Sequence, residues 1–333
     1  MSLLALYDVP APAKLNLFLH VVGQRPDGYH LLQSVLVLID WCDTLHFERR
    51  HDGLLQRHDL GPALPPDDLS LRAARALQQA SGTSLGADLL VHKRVPWGAG
   101  LGGGSSDAAS TLLALNRLWG LNWPRARLQQ LALPLGADVP FFVGGHNAFV
   151  EGIGERLTPL PALPLQDYAV VKPAQSIATA AIFGSPHLAR DTEAATLISF
   201  LEDATLANEL ANEPANEPAN KQANELAKGY GKNDLQHPAQ LSCPELEQVV
   251  NWLQDRFGNS RMTGSGSAVF ARIDRFSGTG DQPPAPGSVA ATLRDVSQSQ
   301  PQSPSQILQQ LPQGWVGRMC RSLDHHPLVG WAD

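Results

Sequence analysis

A glycine-rich run constrains what this chain can fold into more than any other feature. Residues 96–107 read Pro-Trp-Gly-Ala-Gly-Leu-Gly-Gly-Gly-Ser-Ser-Asp, with five glycines within seven consecutive positions. A short apolar segment precedes the run (87–95), and a segment with helical spacing of apolar residues follows it (107–119). This order predicts a strand, a loop and a helix whose N-terminus is capped by Ser105 or Ser106.

The predicted loop favours phosphate binding. Glycine adopts backbone angles closed to other residues, so the loop can turn several N–H groups towards one point. The helix that follows adds unpaired N–H groups and the positive end of its dipole. The hydroxyl of Ser105 or Ser106 can also face a phosphate or its metal. The run is not a Walker-type phosphate loop, because it does not end in Gly-Lys-Ser/Thr. It also differs from the dinucleotide-binding fingerprint, because it has two extra glycines and lacks the acidic residue expected after a second strand.

Composition narrows the class of protein. With 333 residues and 43% hydrophobic content, the chain can form a packed core and two lobes. A net charge of −7 disfavours general nucleic-acid binding, so we expect local positive potential at Lys14, Lys93 and Arg94. The three cysteines show no metal-ligand spacing, which is typical of reduced thiols in a cytoplasmic protein. We expect no signal peptide and no membrane span, since the longest apolar run (31–39) fits a buried strand.

The remaining pattern divides the chain near the prolines of residues 159–166. The expected elements are strands over 13–22, 31–41 and 167–171, helices over 68–80 and 125–133, a loop leading into a strand over 135–143, and a glycine turn feeding a strand over 261–270. An Ala-Asn-Glu repeat (207–226) and a Pro/Ser/Gln-rich segment (277–305) predict low-complexity insertions. A partner-binding role for the repeat stays an alternative.

Two charged residues lie where catalytic groups are often found. Lys14 stands at the head of the apolar strand 15–19, and Asp138 lies in a predicted loop between a helix and a strand. Each has an ordinary alternative: the lysine can extend its ammonium group to solvent, and the aspartate can close a turn or cap a helix. The residues alone leave both alternatives open.

Four segments taken together resemble the GHMP small-molecule kinases, named for galactokinase, homoserine kinase, mevalonate kinase and phosphomevalonate kinase. They are Pro-Ala-Lys-Leu-Asn-Leu (12–17), the glycine run (96–106), Leu-Gly-Ala-Asp-Val-Pro (135–140) and Thr-Gly-Ser-Gly-Ser-Ala (263–268). The resemblance is nearly continuous over residues 11–159 and patchier afterwards. It implies an α+β protein with a ribosomal protein S5-like N-terminal ATP-binding lobe (1–160). A ferredoxin-like C-terminal lobe (165–333) would carry insertions near 191–231 and 277–305.

The resemblance also implies roles for the matching residues. Asp138 corresponds to the base that accepts the proton of the substrate hydroxyl, and Lys14 to its partner, which holds that hydroxyl and the migrating phosphoryl group. The co-substrate would be ATP, with Mg²⁺ bridging its phosphate oxygens and no dedicated protein ligands for the metal. The ATP-binding positions are Lys93, Pro96, Trp97, Gly98, Ala99, Gly100, Leu101, Gly102, Gly103, Gly104, Ser105 and Ser106.

The turn Gly-Gln-Arg-Pro-Asp-Gly-Tyr-His (23–30) is similar to that of family members whose acceptor is a cytidine diphosphate-linked polyol of non-mevalonate isoprenoid synthesis. The positions implied for this substrate are Asn16, Tyr29, His30 and Phe183. Tyr29 and Phe183 would stack on the pyrimidine, and His30 would hydrogen-bond its edge. Without the resemblance, the Tyr-His pair reads as a turn and Phe183 as core.

The implied protein is a cytoplasmic monomer or homodimer with a small-molecule substrate and no nucleic-acid or membrane partner. Two alternatives stay open. One is another GHMP kinase with homoserine or a sugar as acceptor. The other is a non-catalytic nucleotide-binding module with the repeat as an interaction arm.

Three positions depart from the family pattern. Asp68 stands where asparagine is common, which puts an adenine or ribose contact in doubt. Ala99 replaces a frequent glycine, so its backbone should not need a conformation restricted to glycine. Gly184 replaces a frequent lysine, so any contact that this lysine makes to the substrate's phosphate or base must come from another residue here. We also expect Gly264 and Gly266 to act structurally, by letting their loop approach the site.

Overall fold

The computed structural model describes residues 3–160, 163–201, 232–273 and 303–333. The repeat at 207–226 and most of the Pro/Ser/Gln-rich segment lie outside these residues, so their expected character stays a prediction. Within them, strands form two separate sheets, one of six strands and one of four.

The first sheet is built around a long antiparallel hairpin. Its strands are β1 (Ala5–Gln24), β2 (His30–Arg50), β3 (Leu55–Asp59), β4 (Gly86–His92), β5 (Ala148–Gly152) and β6 (Arg156–Pro159). The order is β3-β4-β2-β5-β6, with β1 paired to β2 and only the β3–β4 pair parallel. Gln24 pairs with His30 across the hairpin end, so the intervening turn projects from the sheet with Tyr29 on it.

Helices cover one side of this sheet. They are α1 (Leu69–Ser81), α2 (Gly103–Leu118), α3 (Arg125–Ala132) and α4 (Val139–Gly144). Twelve of the sixteen residues of α2 are buried, and the helix packs against β1, β2, α1 and α4. The glycine run therefore leads directly into the central helix of the lobe.

Asp68 has a structural role at the start of α1. Its carboxylate accepts hydrogen bonds from the backbone N–H groups of Ser70 and Leu71, which makes it the N-cap of the helix. The guanidinium of Arg57 lies 2.6 Å from the same carboxylate. Asp68 therefore caps α1 and forms an ion pair with Arg57.

The second sheet carries its helices on one face. Its strands are β7 (Asp167–Lys172), β8 (Arg261–Met262), β9 (Val269–Ile273) and β10 (Val316–Arg321), all antiparallel in the order β10-β7-β9-β8. The helices are α5 (Thr179–Phe183), α6 (Gln236–Ser242), α7 (Pro244–Phe257) and α8 (Pro304–Leu308). Leu246, Val249 and Leu253 form the buried stripe of α7, spaced as helical amphipathicity requires.

One apolar cluster joins the two lobes. Leu15 of β1, Leu101 of the glycine run, and Tyr168 and Phe270 of the second sheet belong to it, and all are buried. The second lobe therefore rests on the strand that carries Lys14 and on the glycine loop. This packing fixes the position of the cleft between the lobes.

Residues 322–333, which we call the return segment, fold back onto the first lobe. The N–H of Leu323 donates to Leu38 O over 2.8 Å, and that of His326 donates to Gly145 O over 2.8 Å. The guanidinium of Arg125 donates to carbonyls on both sides, those of Val143 in α4 and of Val329 and Ala332 in the return segment. The C-terminal end of α4 is thereby held in place.

The structure confirms the predicted helices at 68–80 and 125–133 to within a residue or two, and the strands that begin near 31 and 167. The expected loop leading into a strand over 135–143 is wrong in its second half, because Val139–Gly144 forms α4 with Pro140 in its first turn and Gly145 (φ +80°) as its C-cap. A buried apolar run of five residues fits a strand or a helix equally well.

The predicted serine cap of α2 is also wrong. The N-cap is Gly102, at φ +72°, with no side-chain capping hydrogen bond, and both serines lie inside the first turn. The extra glycines allow the helix to begin three or four residues earlier than the capping pattern suggests. In the part of the chain that the structure describes, no helix combines the length and the apolar character needed to cross a bilayer.

Candidate active site

Backbone hydrogen bonds fix the glycine loop to both lobes. On the first lobe, the N–H of Lys14 donates to Leu101 O over 3.0 Å. On the second, the N–H groups of Ser267 and Ala268 donate to the carbonyls of Gly98 and Ala99 over 3.2 and 3.0 Å. The loop is therefore a rigid bridge between the lobes.

Two glycines, one on each of two facing loops, have a positive φ and no room for a side chain. Gly100 has φ +72°, and a Cβ on it would lie 2.3 Å from Thr263 O. Gly264 on the opposite loop has φ +55°, and a Cβ there would lie 2.8 Å from Gly100 O and 3.1 Å from Lys14 Nζ. Both loops approach each other as closely as bare backbone allows, which agrees with a structural role for Gly264. Ala99 does not adopt a positive φ, as expected.

Gly100→Ala should destabilise the protein and abolish ATP binding, because the new methyl group would collide with the backbone of the other lobe. We expect the free energy of unfolding to fall by about 2–5 kcal/mol, from left-handed strain and overpacking together. Gly82→Ala is the matched control, since Gly82 has φ +67° but open space where the Cβ would lie. It should show only the strain, about 1–2 kcal/mol. Equal losses in chemical denaturation of the two variants would contradict the collision.

Lys14 is buried with its ammonium group in a fixed set of contacts. The side chain is 4% exposed, and Nζ donates to Asn16 Oδ1 over 2.5 Å and to Gly100 O over 2.8 Å. Burial lowers the pKa of Lys14, and the carboxylate of Asp138, 3.7 Å from Nζ, opposes this shift. The alternative of an ammonium group extended to solvent is therefore wrong.

Asp138 immediately precedes α4, but its side chain makes no capping hydrogen bond. The carboxylate is 38% exposed and lies beside Lys14 at the wall of a cavity. The capping alternative is thus wrong, and the carboxylate is free to meet a ligand. An aspartate and a lysine at this separation can accept a proton from a hydroxyl while holding its oxygen.

Two cavities meet at the glycine loop. The larger, about 740 Å³, is lined by Lys14, Asn16 and Asp138 and extends to Tyr29, His30 and Phe183. The smaller, about 440 Å³, is lined by Lys93 and by every residue from Pro96 to Ser105. Both cavities share Gly100, Gly102, Ser105, Thr179 and Ser265 as lining residues. A group bound in one cavity can therefore reach a group bound in the other, at the loop.

The structure brings together almost all of the predicted site residues. Ser106 is the exception, since it is buried and lines neither cavity. At the far end of the larger cavity, the rings of His30 and Phe183 lie 5.1 Å apart, and Tyr29 is 61% exposed at the rim. These positions suit an aromatic or heterocyclic group, and their roles stay predictions.

Lys93 is held between two carboxylates. Its Nζ donates to Asp107 Oδ2 over 2.6 Å and to Asp43 Oδ2. The other oxygen of Asp43 accepts from the N–H groups of Arg94 and Val95 over 2.5 and 2.8 Å. Burial lowers the pKa of Lys93, but the two carboxylates outweigh it and raise the pKa above its usual value. Lys93 thus ties the end of β4 to α2, and its ammonium group already has partners within the protein.

The stability of the protein should depend on pH through Asp107. Burial raises the pKa of Asp107 from 3.8 to about 8, Asp43 adds to the rise, and Lys93 opposes it. Between about pH 4 and about pH 8, Asp107 is therefore protonated in the native state and ionised in the unfolded chain. The free energy of unfolding therefore falls as the pH rises from about 4 to about 8. Asp107→Asn should flatten this dependence in thermal unfolding measured across that window, and parallel curves for the two proteins would contradict it.

Sequence reasoning missed three contributors to the site. Thr179 and Ser265 line both cavities and hydrogen-bond each other over 2.7 Å. Thr179 belongs to no recognisable pattern, and Ser265 lies in the motif at 263–268 but had no predicted role. Asp43 had a usable signal, since it is a charged residue in the middle of an apolar, strand-like stretch and is fully buried. A carboxylate in such a place needs partners, and here they are Lys93 and two backbone N–H groups.

Comparisons with known proteins agree with this geometry. The family description "GHMP kinases N terminal domain" matches residues 68–146, and "GHMP kinases C terminal" matches residues 202–280. The chain is 58% identical, over all of both chains, to a 4-diphosphocytidyl-2-C-methyl-D-erythritol kinase of Methylibium petroleiphilum. It is 49% identical to the protein of the same name in Albidiferax ferrireducens, covering 98% of this chain and 96% of that one.

Solved structures give the same fold. A crystal structure of 4-(cytidine 5'-diphospho)-2C-methyl-D-erythritol kinase is 36% identical and superposes with a TM-score of 0.60, covering 78% of this chain and 88% of that one. A homoserine kinase of Cytophaga hutchinsonii also superposes with a TM-score of 0.60, at 14% identity, over 97% of this chain and 95% of that one. The second likeness concerns the fold alone.

Proposed function

The chain belongs to the GHMP kinases, and from this membership we propose that it transfers the γ-phosphoryl group of ATP to the 2-hydroxyl of 4-diphosphocytidyl-2-C-methyl-D-erythritol. This is a step of non-mevalonate isoprenoid precursor synthesis. The observation that carries the proposal is the meeting of two cavities at the glycine loop, with Lys14 and Asp138 on the wall of the larger one. Two relatives that are named as kinases of this acceptor match 100% and 98% of the chain.

ATP fits the smaller cavity. Its triphosphate would lie on the glycine loop, where backbone N–H groups and the N-terminus of α2 favour negative charge. Trp97, 61% exposed at this cavity, and the apolar Leu64 and Ile177 offer surfaces for the base. The γ-phosphoryl group would then project past Gly100 and Gly102 towards Lys14.

The acceptor fits the larger cavity. Its hydroxyl would lie between Lys14 and Asp138, and its cytidine would extend towards Tyr29, His30 and Phe183. As the hydroxyl oxygen attacks phosphorus, its bond to phosphorus forms, the bond to the oxygen bridging the β- and γ-phosphates breaks, and the proton passes to Asp138 Oδ2. Lys14 offsets the negative charge on the transferring group. The products are ADP and the 2-phosphate of the acceptor.

We propose that Mg²⁺ enters with ATP, bound mainly by phosphate oxygens. The chain offers a hydroxyl oxygen beside the loop, because Ser105 lines both cavities. Mg²⁺ prefers oxygen ligands and keeps substrate phosphates among them, so Ser105 fits such a complex. When bound, the ion neutralises phosphate charge.

A direct assay tests the proposed function. Purified protein is mixed with ATP, MgCl₂ and a panel of 4-diphosphocytidyl-2-C-methyl-D-erythritol, homoserine and galactose, and ADP release is followed by a coupled enzyme reaction. We expect release with the first acceptor only, and a new phosphomonoester signal in ³¹P NMR. Transfer to homoserine or galactose would assign the chain a different acceptor. Binding of ATP without transfer to any acceptor would favour a non-catalytic module.

We further propose the two lobes as residues 1–160 and 165–333, and a cytoplasmic enzyme that acts as a monomer or homodimer without nucleic acid. The two sheets fall on either side of the proposed boundary. All three cysteines are free thiols, which is in keeping with a reducing compartment.

A further inference from the structure

We propose that Arg190 is a positioning residue that fixes His30 in the tautomer protonated on Nδ1, and that this tautomer selects a cytosine base over uracil. The inference rests on the proposed function, because it concerns the base of the acceptor. It goes further by naming a residue outside the predicted site and a basis for choosing between two pyrimidines.

The guanidinium of Arg190 is held by backbone carbonyls. Its Nη2 donates to the carbonyls of Phe183 and Ser185, each over 3.1 Å, and Nη1 donates to Leu188 O over 3.0 Å. The remaining donor, Nε, lies 3.1 Å from Nε2 of His30. Three carbonyls therefore set the orientation of the group, and the imidazole of His30 adapts to it.

This contact determines the protonation of His30. A guanidinium group stays charged and can only donate, so His30 Nε2 must accept and cannot carry a proton. A neutral imidazole that accepts through Nε2 holds its proton on Nδ1. Burial lowers the pKa of His30, and the neighbouring charge of Arg190 lowers it further. The ring is therefore neutral at pH 7, with Nδ1–H as its one donor.

This donor has no partner in the part of the chain that the structure describes. Among the described residues, His30 Nδ1 makes no hydrogen bond, and His30 lines the same cavity as Lys14 and Asp138. The ring of Phe183 is tilted by 36° to that of His30, and the exposed Tyr29 precedes it. A flat heterocycle that stacks on these aromatic groups would present its edge to Nδ1–H.

The two pyrimidines differ at that edge. Cytosine N3 has a lone pair and accepts a hydrogen bond, whereas uracil N3 carries a hydrogen. Nδ1–H of His30 thus pairs with cytosine N3 and meets another donor in uracil. A site that leaves a buried donor unpaired rejects the wrong ligand strongly. The opposite tautomer would place an acceptor at this position and would favour uracil.

The tautomer of His30 can be measured directly in the unmodified protein. In the full-length protein labelled with ¹⁵N-histidine, long-range ¹H–¹⁵N spectra distinguish a protonated Nδ1 from a protonated Nε2, and His30→Gln identifies the His30 signals. We expect the Nδ1–H pattern for His30 at pH 7. In Arg190→Met we expect a shift towards the Nε2–H form, which is the more common tautomer of a free histidine side chain. An Nε2–H pattern in the unmodified protein would overturn the proposal.

The selectivity is tested by comparing the cytidine acceptor with its uridine analogue. We expect kcat/KM of the unmodified enzyme to favour the cytidine acceptor by about 100-fold. Arg190→Met should reduce this preference to below about 10-fold, mainly through a higher KM for the cytidine acceptor, with the KM for ATP unchanged. Arg256→Met is the control, since Arg256 also donates to a backbone carbonyl, that of Trp252, but contacts neither cavity. It should keep the full preference.

The outcomes separate this inference from the proposed function. No transfer to either acceptor would remove the proposed function, while the NMR experiment would still decide the tautomer. Equal use of both acceptors by the unmodified enzyme would overturn the selectivity and leave the kinase activity standing. A preference of about 100-fold that survives in Arg190→Met would overturn the positioning role of Arg190.

Discussion

Asp138→Asn is expected to lower kcat by about 10²–10⁴-fold, the range that a positioned general base contributes. The amide has nearly the same shape as the carboxylate but cannot accept the hydroxyl proton. Asp138 makes no capping hydrogen bond and is 38% exposed, so the fold should tolerate the change. The Kd for ATP, measured by calorimetry, should stay within about twofold, because the glycine loop and α2 are untouched.

Asp52→Asn is the matched control for this experiment. Asp52 is 46% exposed and pairs with Arg50, so the substitution removes an equally accessible, cation-paired carboxylate outside both cavities. Its kcat should match that of the unmodified enzyme. Near-normal turnover of Asp138→Asn would show that another group, or solvent, takes the proton.

Lys14→Met should lower kcat by about 10²–10³-fold, as expected for loss of a donor to the charge that develops during transfer. The methionine fills a similar volume, but Asn16 Oδ1 and Gly100 O lose their donor, and Asp138 loses its counter-charge. Stability should also fall, because two buried acceptors are left without a partner.

The pH profile gives the second readout for Lys14. Because burial lowers the pKa of Lys14 below 10.5, its ammonium group loses its proton at a lower pH than a free lysine does. Activity of the unmodified enzyme should therefore decline as the pH rises through that lowered value. The residual activity of Lys14→Met should lack this decline. A decline that persists unchanged in the variant would assign it to another group.

Lys172→Met controls for the effect of removing a buried lysine. Lys172 is also buried, and its ammonium group donates to the carbonyls of Pro173 and Gln175 rather than into a cavity. This variant should lose stability but keep kcat per folded molecule. An equal loss of kcat in both variants would mean that Lys14 matters only for folding.

Local patterns predict the parts of the site that are local in the chain. The glycine run, its flanking strand and α2 follow from residue spacing within about thirty positions, because glycine freedom and helical periodicity act over short distances. The same reasoning failed for 139–143, where burial on all sides removes the periodicity that separates a helix from a strand. Here Pro140 and Gly145 were the better guides, since they favour a helix start and a helix end.

The contacts that build the cleft are remote in the chain, and spacing cannot reveal them. The N–H of Asn16 donates to Thr263 across 247 positions, and Arg190 reaches His30 across 160. Arg190 lies in an irregular stretch with no periodicity, so its partners become visible only when the lobes are assembled. The family resemblance implied roles for Lys14 and Asp138 but not for Asp43, whose partners become visible only in the fold.

The return segment has a consequence for synthesis on the ribosome. The C-terminal end of α4 accepts a hydrogen bond from the N–H of His326, which is translated about 180 positions later. Arg125, which donates to Val143 O of α4, is itself held by the carbonyls of Val329 and Ala332. A nascent chain that has exposed only its first lobe therefore lacks the return segment and its hydrogen bonds. The contacts that hold the C-terminal end of α4, the helix that begins next to Asp138, can therefore form only after nearly the whole polypeptide has left the exit tunnel.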